Sequence, residues 1–173
     1  YKTSPPPTTN LSSILNNNDE VNQITFSPLL SSSGNKKTRY IATANDDGQV
    51  KLAFMGDETT TKSRTMQHGD DEMTMTTCAV FRPPSFGENG KTQQSNVELA
   101  SGGTDCFIKL WDVSRPGKPI SSYSTQNPNN NNNTTTNQMC NPPIIHSLSW
   151  SPSGNILSAG LGNGQIHLLS PNK

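Results

Sequence analysis

The chain has 173 residues, of which 29% are hydrophobic, and its 13 basic side chains are balanced by 13 acidic ones. Balanced charge removes the broad electrostatic attraction that drives binding to nucleic acids and anionic membranes. No apolar run in the sequence approaches the roughly 20 residues that cross a bilayer. We therefore expect no nucleic-acid or membrane partner, and a core built from small repeated elements.

The first 18 residues contain runs of proline and asparagine and few apolar side chains. Such a segment cannot bury enough apolar surface to offset the conformational entropy lost on ordering. Residues 1–18 are therefore predicted to form a disordered tail. The Asn- and Thr-rich residues 125–143 are predicted to be a disordered insertion for the same reason.

Outside these segments, one pattern of strands and turns occurs three times. Each copy has an apolar strand that ends in aromatic-x-Pro, a variable loop, a strand of small residues, a tight turn and a second apolar strand. The copies are VNQITFSP with YIATANDDGQVKLAF, TTCAVFRP with LASGGTDCFIKLWD, and IHSLSWSP with ILSAGLGNGQIHLLS. Repetition of this kind predicts one supersecondary unit used three times.

The tight turns carry the strongest local signal. Asp47-Gly48 and Asn163-Gly164 are typical of two-residue type I′ hairpin turns, in which both central residues have positive φ. Asp105-Cys106 occupies the same place in the second copy. The proline after each first strand ends its pairing because proline has no N–H. Helical periodicity is absent, so the predicted class is all-β.

LASGGTDCFIKLWD resembles the signature of the WD-repeat family, whose repeats end in Trp-Asp and build four-stranded propeller blades. The other two copies are degenerate, with Ala53 and Leu169 in the place of the Trp. The resemblance implies a WD-repeat β-propeller fragment of about three four-stranded blades that does not form a closed ring.

The repeats divide the chain into three predicted blades. Blade one is expected at residues 19–67, blade two at 68–124 and a partial blade three at 144–173. An open stack of three blades leaves an apolar flank at each end. We therefore expect missing blades, a partner or a second copy to close the propeller.

In the WD-repeat family, a buried His, Ser or Thr, Asp and Trp of one blade are joined by hydrogen bonds. The resemblance implies that His68, Ser101, Asp105 and Trp111 form this structural network in blade two. A buried carboxylate is costly unless donors meet it, and imidazole, hydroxyl and indole groups supply them.

The other blades match this network only in part. Thr43 and Asp47 repeat half of the set in blade one. In blade three, Ala159 and Asn163 replace the Ser and the Asp, so we expect no network there.

His68, Ser101 and Asp105 are also the residue types of a catalytic triad. Ser101 lacks the G-x-S-x-G elbow that would expose it, and no metal-ligand spacing occurs in the sequence. We therefore predict no catalytic residue, no metal site and no cofactor. A propeller hydrolase is the alternative from another class, and a nonfunctional partial gene product is a third possibility.

The three cysteines, Cys78, Cys106 and Cys140, form an odd set without CxxC spacing. This usage favours reduced thiols and an intracellular location, cytoplasmic or nuclear, over secretion. Cys78 and Cys106 are expected to fill small spaces in the core.

The function implied by the resemblance is a protein-binding scaffold or adaptor. By family geometry, the narrow face of the propeller carries the turns and the segments that lead into the inner strands. The candidate partner-binding residues there, which we call the rim, are Asp46, Thr104, Gly162, Asn22 and His146.

Some WD-repeat proteins act as substrate receptors of cullin-RING ubiquitin ligases and dock on the ligase adaptor through Trp-Asp-x-Arg. This chain has WDVSR, with Ser114 where Arg is expected and Arg115 one place later. A shift of one residue points a side chain to the opposite face of an extended segment. The ligase adaptor is therefore an expected partner whose docking motif this repeat matches only in part.

Overall fold

The computed structural model describes residues 15, 19–28, 30–31, 37–55, 63–69, 73–84, 97–115, 117–126 and 141–171. These residues contain twelve strands in three antiparallel sheets, none of which closes into a barrel. The predicted all-β, open fragment is confirmed. Most of the predicted tail and of the predicted insertion lies outside the described residues. Within the described ranges, no helix has both the length and the hydrophobicity that a bilayer crossing requires.

Blade one is a sheet with the strand order β1-β3-β4-β5. Its strands are β1 (Val21–Phe26), β3 (Lys37–Asn45), β4 (Gln49–Met55) and β5 (Ser63–Gln67). The short strand β2 (Leu30–Ser31) pairs with the start of β3 and forms an extra hairpin in the long first connection.

Blades two and three repeat the same antiparallel order. Blade two contains β6 (Thr76–Phe81), β7 (Glu98–Gly103), β8 (Phe107–Asp112) and β9 (Ser121–Ser124). Blade three contains β10 (Ile145–Trp150), β11 (Leu157–Leu161) and β12 (Ile166–Leu169), so its described part has three strands.

The tight turns differ from the prediction. Positive φ occurs at Gly48, Cys106 and Gly164, at 71°, 63° and 83°, and not at the residues before them. Gly48 N–H bonds to the carbonyl of Asn45 and Gly164 N–H to that of Leu161. A turn followed by one left-handed residue replaces the predicted type I′ turn, which was wrong.

The reason lies in the Asp or Asn side chain of each turn. Asp47, Asp105 and Asn163 accept a hydrogen bond from the N–H two residues later, at 3.1, 3.0 and 3.1 Å. This Asx arrangement lets only the next residue adopt positive φ.

Each inner strand has a β-bulge at its second residue. Pairing of β1, β6 and β10 shifts at Asn22, Thr77 and His146, respectively. A bulge leaves the extra residue outside the regular pairing and turns its side chain in a new direction. The three blades are therefore equivalent residue by residue at this end.

The apolar core lies between blades. We call the surface of a blade that looks toward the next blade in chain order its leading face, and the opposite surface its trailing face. One buried cluster lies at the boundary between blade one and blade two and consists of Ala42, Ala44, Val50, Leu52, Met66, Ala79, Phe81, Leu99, Trp111 and Val113. Blade two and blade three bury together Cys78, Ala100, Ile108, Leu110, Ile145, Leu148, Leu157, Ala159 and Leu161. Full burial of a Leu or Ile contributes about 1.5–3 kcal/mol, so these clusters fix adjacent blades against each other.

Candidate functional site

The structure brings His68, Ser101, Asp105 and Trp111 together on the trailing face of blade two. Trp111 Nε1–H donates to Ser101 Oγ at 2.8 Å, and His68 Nδ1 lies 2.6 Å from the same oxygen. His68 Nε2 lies 3.2 Å from Asp105 Oδ1. All groups are satisfied when the Ser101 hydroxyl donates to Nδ1 and His68 Nε2–H donates to the carboxylate.

His68 reaches this place from the connection between β5 and β6. The backbone N–H of His68 bonds to the carbonyl of Gly48 at 2.9 Å, and the backbone carbonyl of His68 accepts a hydrogen bond from Lys109 Nζ. A Cβ built on Gly103 would lie 2.7 Å from His68 Nε2, so only glycine there admits the ring. Lys109 and Gly103 were missed by the sequence analysis, although the small residues of LASGG could have indicated the close approach.

Asp105 is held as a carboxylate. Burial raises its pKa, but the hydrogen bond and charge of His68, the N–H of Phe107 and the charge of Lys109 together outweigh burial and lower the pKa below its ordinary value. The site therefore stabilises a fixed negative charge next to an imidazole.

The buried position of Ser101 determines what this arrangement can do. Its side chain is fully buried and its hydroxyl already contacts two ring nitrogens. A nucleophile must reach a substrate carbonyl, and this hydroxyl faces the interior between two blades. The chemistry of the set is structural: it joins the turn of blade one to blade two through His68. Among the described residues, no three His, Cys, Asp or Glu side chains converge as metal ligands would.

In blade one, Asp47 serves its own turn. Its Oδ1 accepts a hydrogen bond from Gln49 N–H at 3.1 Å, and its Oδ2 lies 3.5 Å from Lys51 Nζ. Thr43 is buried on the same sheet, where it pairs with Lys51. Ala53 stands where Trp111 stands in blade two, so the indole donor is replaced by a methyl group.

In blade three, Thr125 takes the place that His68 has in blade two. The N–H of His68 bonds to the second turn residue of blade one, and the N–H of Thr125 bonds to Cys106 of blade two, both at 2.9 Å. Thr125 Oγ1 then bonds to the carbonyl of Pro143 at 2.7 Å. No signal in the sequence singles out this threonine, because the equivalence appears only when the turns are superimposed.

The five predicted rim residues lie at one end of the blades. Asn22 Nδ2 donates to Asp46 Oδ1 at 2.6 Å and to the carbonyl of Thr76 at 2.9 Å. The N–H and Oγ1 of Thr104 both bond to the backbone of Met75 at 3.0 Å.

In blade three, the N–H of Gly162 bonds to the carbonyl of Ile144 at 2.9 Å. A Cβ built on Gly162 would lie 3.1 Å from Nε2 of the exposed His146. Each turn is thus fastened to the start of the inner strand of its own blade.

Thr77 and Arg82 are functional residues that sequence reasoning missed. Thr77 Oγ1 bonds to the carbonyl of Ile145, as Asn22 Nδ2 does to that of Thr76, so in blades one and two the bulged residue holds the next inner strand. The position shared by Asn22, Thr77 and His146 in the three copies was the available signal.

Arg82 joins blades two and three at the opposite end. Its Nε donates to the carbonyl of Gly154 at 2.6 Å, and its Nη1 donates to Glu98 Oε2 at 2.6 Å. Its guanidinium carbon lies 5.0 Å from the centre of the Trp150 ring. A cation over an indole face adds attraction to these hydrogen bonds. The sequence AVFRP, with Arg after the strand, was the signal.

Of the three cysteines, Cys78 and Cys106 are free and buried, and Cys140 lies outside the described residues. Burial raises the pKa of the Cys78 thiol to about 11. Burial, together with the charge of Asp105, also raises the pKa of Cys106. Both thiols are therefore protonated and poorly reactive near neutral pH.

A family model described as WD domain, G-beta repeat, matches residues 64–112 and 134–169. The chain contains WD40 repeats. Each matched stretch ends with the third strand of its blade, at Asp112 and Leu169, as the repeat of this family requires.

The chain is also similar to the WD repeat-containing protein 53 homolog of Dictyostelium discoideum. The two are 24% identical over 160 residues, which cover 87% of this chain and 38% of the relative. The AVFRP strand and the closing block NPPIIHSLSWSPSGNILSAGLGNGQIHLL also resemble WD repeat-containing protein 53. The chain spans less than two fifths of the length of this relative.

Proposed function

We propose that this chain is a protein-binding WD40 scaffold whose rim contacts protein partners. The observation that supports it best is that every rim turn is hydrogen-bonded to the residue that leads into the inner strand of its own blade. Loops held rigidly by a stack of sheets can present several contacts in fixed positions, which protein recognition requires. WD40 proteins in general bind other proteins, and the buried Ser101 speaks against the hydrolase alternative.

The rim has the mixed chemistry of a protein-binding surface. Asp46 supplies a carboxylate and Thr104 a hydroxyl. Met75, whose backbone bonds to Thr104, and Met73, two residues before it in the chain, expose apolar side chains. Methionine is enriched at protein interfaces because its flexible, polarisable side chain adapts to a partner. We therefore place the centre of the contact at the Met73–Thr104 side of blade two.

The test compares partner capture by three forms of the complete protein in cells. Met73→Lys combined with Met75→Lys, called here the rim variant, changes the surface next to the rim residue Thr104. Ile120→Lys makes the same kind of change at an exposed site at the other end of blade two. We expect the rim variant to lose partners that the wild type and Ile120→Lys both retain, with unchanged thermal unfolding. Identical partner lists for all three forms would contradict the proposed contact surface.

We further propose that the complete protein is a substrate receptor of a cullin-RING ubiquitin ligase. Ser114, which stands where the docking motif has Arg, bonds back to Asp112 Oδ1 through its N–H at 2.8 Å and its hydroxyl at 2.5 Å. Arg115 is exposed next to it. The available guanidinium for adaptor docking in this repeat is therefore that of Arg115.

Capture of the complete protein should recover the ligase adaptor, and Arg115→Ala should reduce that recovery. Lys118→Ala, which removes a neighbouring exposed charge, serves as the control. If the adaptor is absent from repeated captures, the ligase role falls and the general scaffold role is unaffected.

A further inference from the structure

The fold separates the charged side chains that the sequence balances. We call the end of the blades opposite the rim the far end; β3, β5 and β7 begin there and β8 ends there. The carboxylates that lie in the rim turns or lead into β1 are Asp19, Glu20, Asp46, Asp47 and Asp105. The exposed Lys and Arg side chains of the described residues all lie at the far end and are Arg39, Arg64, Arg115 and Lys118. The described part of the molecule therefore has an acidic rim and a basic far end.

The exposed cations of the far end have no acidic partner in the part of the chain that the structure describes. The ion pairs there are Lys51–Asp47, His68–Asp105 and Arg82–Glu98, and none of them includes an exposed cation. Asp112, the carboxylate nearest to Arg115 in the sequence, is 9% exposed, and its Oδ1 accepts hydrogen bonds from the N–H and the hydroxyl of Ser114. Unpaired cations at one end give that end a local positive potential.

Arg64 extends from blade one across the boundary to blade two. It pairs with Leu52 of the boundary cluster and therefore lies on the leading face of blade one. Its Nη1 donates to the carbonyl of Val113 at 3.1 Å and lies 3.4 Å from the carbonyl of Ser114. Its Nη2 and Nε have no hydrogen-bond partner among the described residues. One nitrogen of this exposed guanidinium is thus fixed by the protein, and the other two are available to a ligand.

Arg115 directly follows Ser114, so the guanidinium of Arg64 lies next to the backbone of Arg115. The N–H of Arg115 bonds to the carbonyl of Asp112 at 3.0 Å, and its carbonyl accepts the N–H of Gly117 at 2.9 Å. These bonds fix the backbone of the turn, while the side chain of Arg115 is exposed. Two arginines, one from each blade, therefore lie at the same short segment, and both sides of this boundary belong to the described residues.

The chemistry of two neighbouring arginines favours carboxylates. The planar guanidinium matches the two oxygens of a carboxylate, whereas a lysine ammonium is a point charge. Two guanidinium groups at one segment suit two carboxylates that are close together, as in a run of Asp and Glu. Nucleic acids and anionic bilayers attract proteins through an extensive positive surface, whereas this chain has 13 basic and 13 acidic residues and an acidic rim. A protein segment rich in Asp and Glu needs only local pairing and fits this site better.

We infer that Arg64 and Arg115 form a two-arginine site that binds neighbouring carboxylates of an Asp- and Glu-rich segment in a partner protein. The segment lies across the far end of the boundary between blades one and two, and each guanidinium binds one carboxylate. This contact is separate from the proposed rim contact, which lies at the opposite end of the blades. It includes Arg115, which the ligase proposal also uses, but it adds Arg64 and does not require the ligase adaptor as the partner.

Fluorescence anisotropy of a labelled oligoglutamate peptide with the complete protein tests the site at low ionic strength. We expect the dissociation constant to rise about fivefold or more in Arg64→Met and in Arg115→Met, because each loses charge-assisted hydrogen bonds to the peptide. Arg39→Met removes the same charge on the trailing face of blade one, away from the boundary, and should change the constant by less than about twofold. The side chain of Arg115 has no partner among the described residues, so Arg115→Met should unfold at the wild-type temperature.

Arg64→Lys separates paired recognition of carboxylates from simple charge. It keeps the positive charge and loses the guanidinium, so its affinity for the peptide should fall nearly as far as that of Arg64→Met. Full affinity in Arg64→Lys, an equal loss in Arg39→Met or the absence of peptide binding would overturn the inference. Tighter binding of labelled single-stranded DNA or of phosphatidylserine vesicles through the same two arginines would overturn it as well. The ligase adaptor takes no part in this assay, so its result is independent of the ligase proposal.

Discussion

The hydroxyl of Ser101 is the shared partner of two ring nitrogens buried between blades. Trp111 Nε1 lies 2.8 Å and His68 Nδ1 2.6 Å from it. Ser101→Ala removes this partner, and an unsatisfied buried polar group costs about 1–3 kcal/mol, so we expect a loss of that size in the free energy of unfolding in urea. Ser149→Ala, at an exposed position on β10, should change it by less than about 0.5 kcal/mol. Equal urea midpoints for Ser101→Ala and the wild type would refute the structural role.

Asp105 gives the fold a dependence on acid. Its pKa in the folded protein is lowered from 3.8, with burial opposing and His68, Phe107 N–H and Lys109 producing the decrease. A carboxyl with a depressed folded-state pKa contributes full stability above its unfolded pKa, and this contribution is lost as pH falls through the folded pKa. We expect Asp105→Asn to flatten the loss of unfolding free energy below about pH 4, measured by urea titration at several pH values. An unchanged acid slope would contradict this assignment.

At the scale of a single turn, Gly48 combines backbone conformation with close packing. Its φ is 71°, and an added Cβ would lie 2.6 Å from the carbonyl oxygen of Thr74. Gly164 has a φ of 83° but open space around it, so a side chain added there would strain the backbone without clashing with a neighbour. Left-handed φ costs a non-glycine residue about 1–2 kcal/mol. We expect Gly164→Ala to lose about that much stability and Gly48→Ala clearly more.

Gly117→Ala is the control for this pair, because Gly117 has neither positive φ nor a neighbour within 4 Å of an added Cβ. Thermal unfolding of the three variants ranks them. If Gly48→Ala and Gly164→Ala are equally destabilised, the clash with Thr74 plays no part. Cys106 shows that one turn of this chain already tolerates the strain, at φ 63°, when the cysteine side chain is buried.

For the whole molecule, the rigidity of the stack depends on contacts between blades. Arg82 bonds to Gly154 of blade three and to Glu98 of its own blade, and it lies over Trp150. Arg82→Met keeps the length of the side chain and removes these interactions. Because a charged hydrogen bond across a boundary is worth about 1.5–3 kcal/mol, we expect blade three to open more often than blade two.

Hydrogen exchange measures this difference directly. Amides of β10–β12 should exchange faster in Arg82→Met, whereas those of β3–β5 should keep their wild-type rates. Arg64→Met is the matched control, since Arg64 is exposed and bonds to the carbonyl of Val113 across the other boundary at 3.1 Å. A uniform increase over all three blades would show that the stack unfolds as one unit and that Arg82 does not couple blade three specifically.

The sequence alone determined the repeat, three strands of each blade and four members of the buried network. Alternating apolar residues and the Asp-Gly and Asn-Gly pairs act over a few neighbouring residues, so their effect can be predicted from the chain itself. His68, Ser101, Asp105 and Trp111 were predicted through the resemblance of a single repeat. The predicted type I′ turns were wrong because the Asp47 and Asn163 side chains bond to nearby backbone N–H groups, and only the next residue has positive φ.

The contacts between blades were decided only by the tertiary structure. Three polar residues that are ordinary in the sequence bond to backbone carbonyls that folding brings near. Thr77 bonds to Ile145, 68 positions away, and Arg82 bonds to Gly154, 72 positions away. Thr125 bonds to Pro143, 18 positions away. Leu15 lies in a segment whose composition predicts disorder, yet it packs where Ala53 leaves room. The physical reason is common to all four: which surfaces meet depends on how the sheets stack, and local patterns carry no information on that geometry.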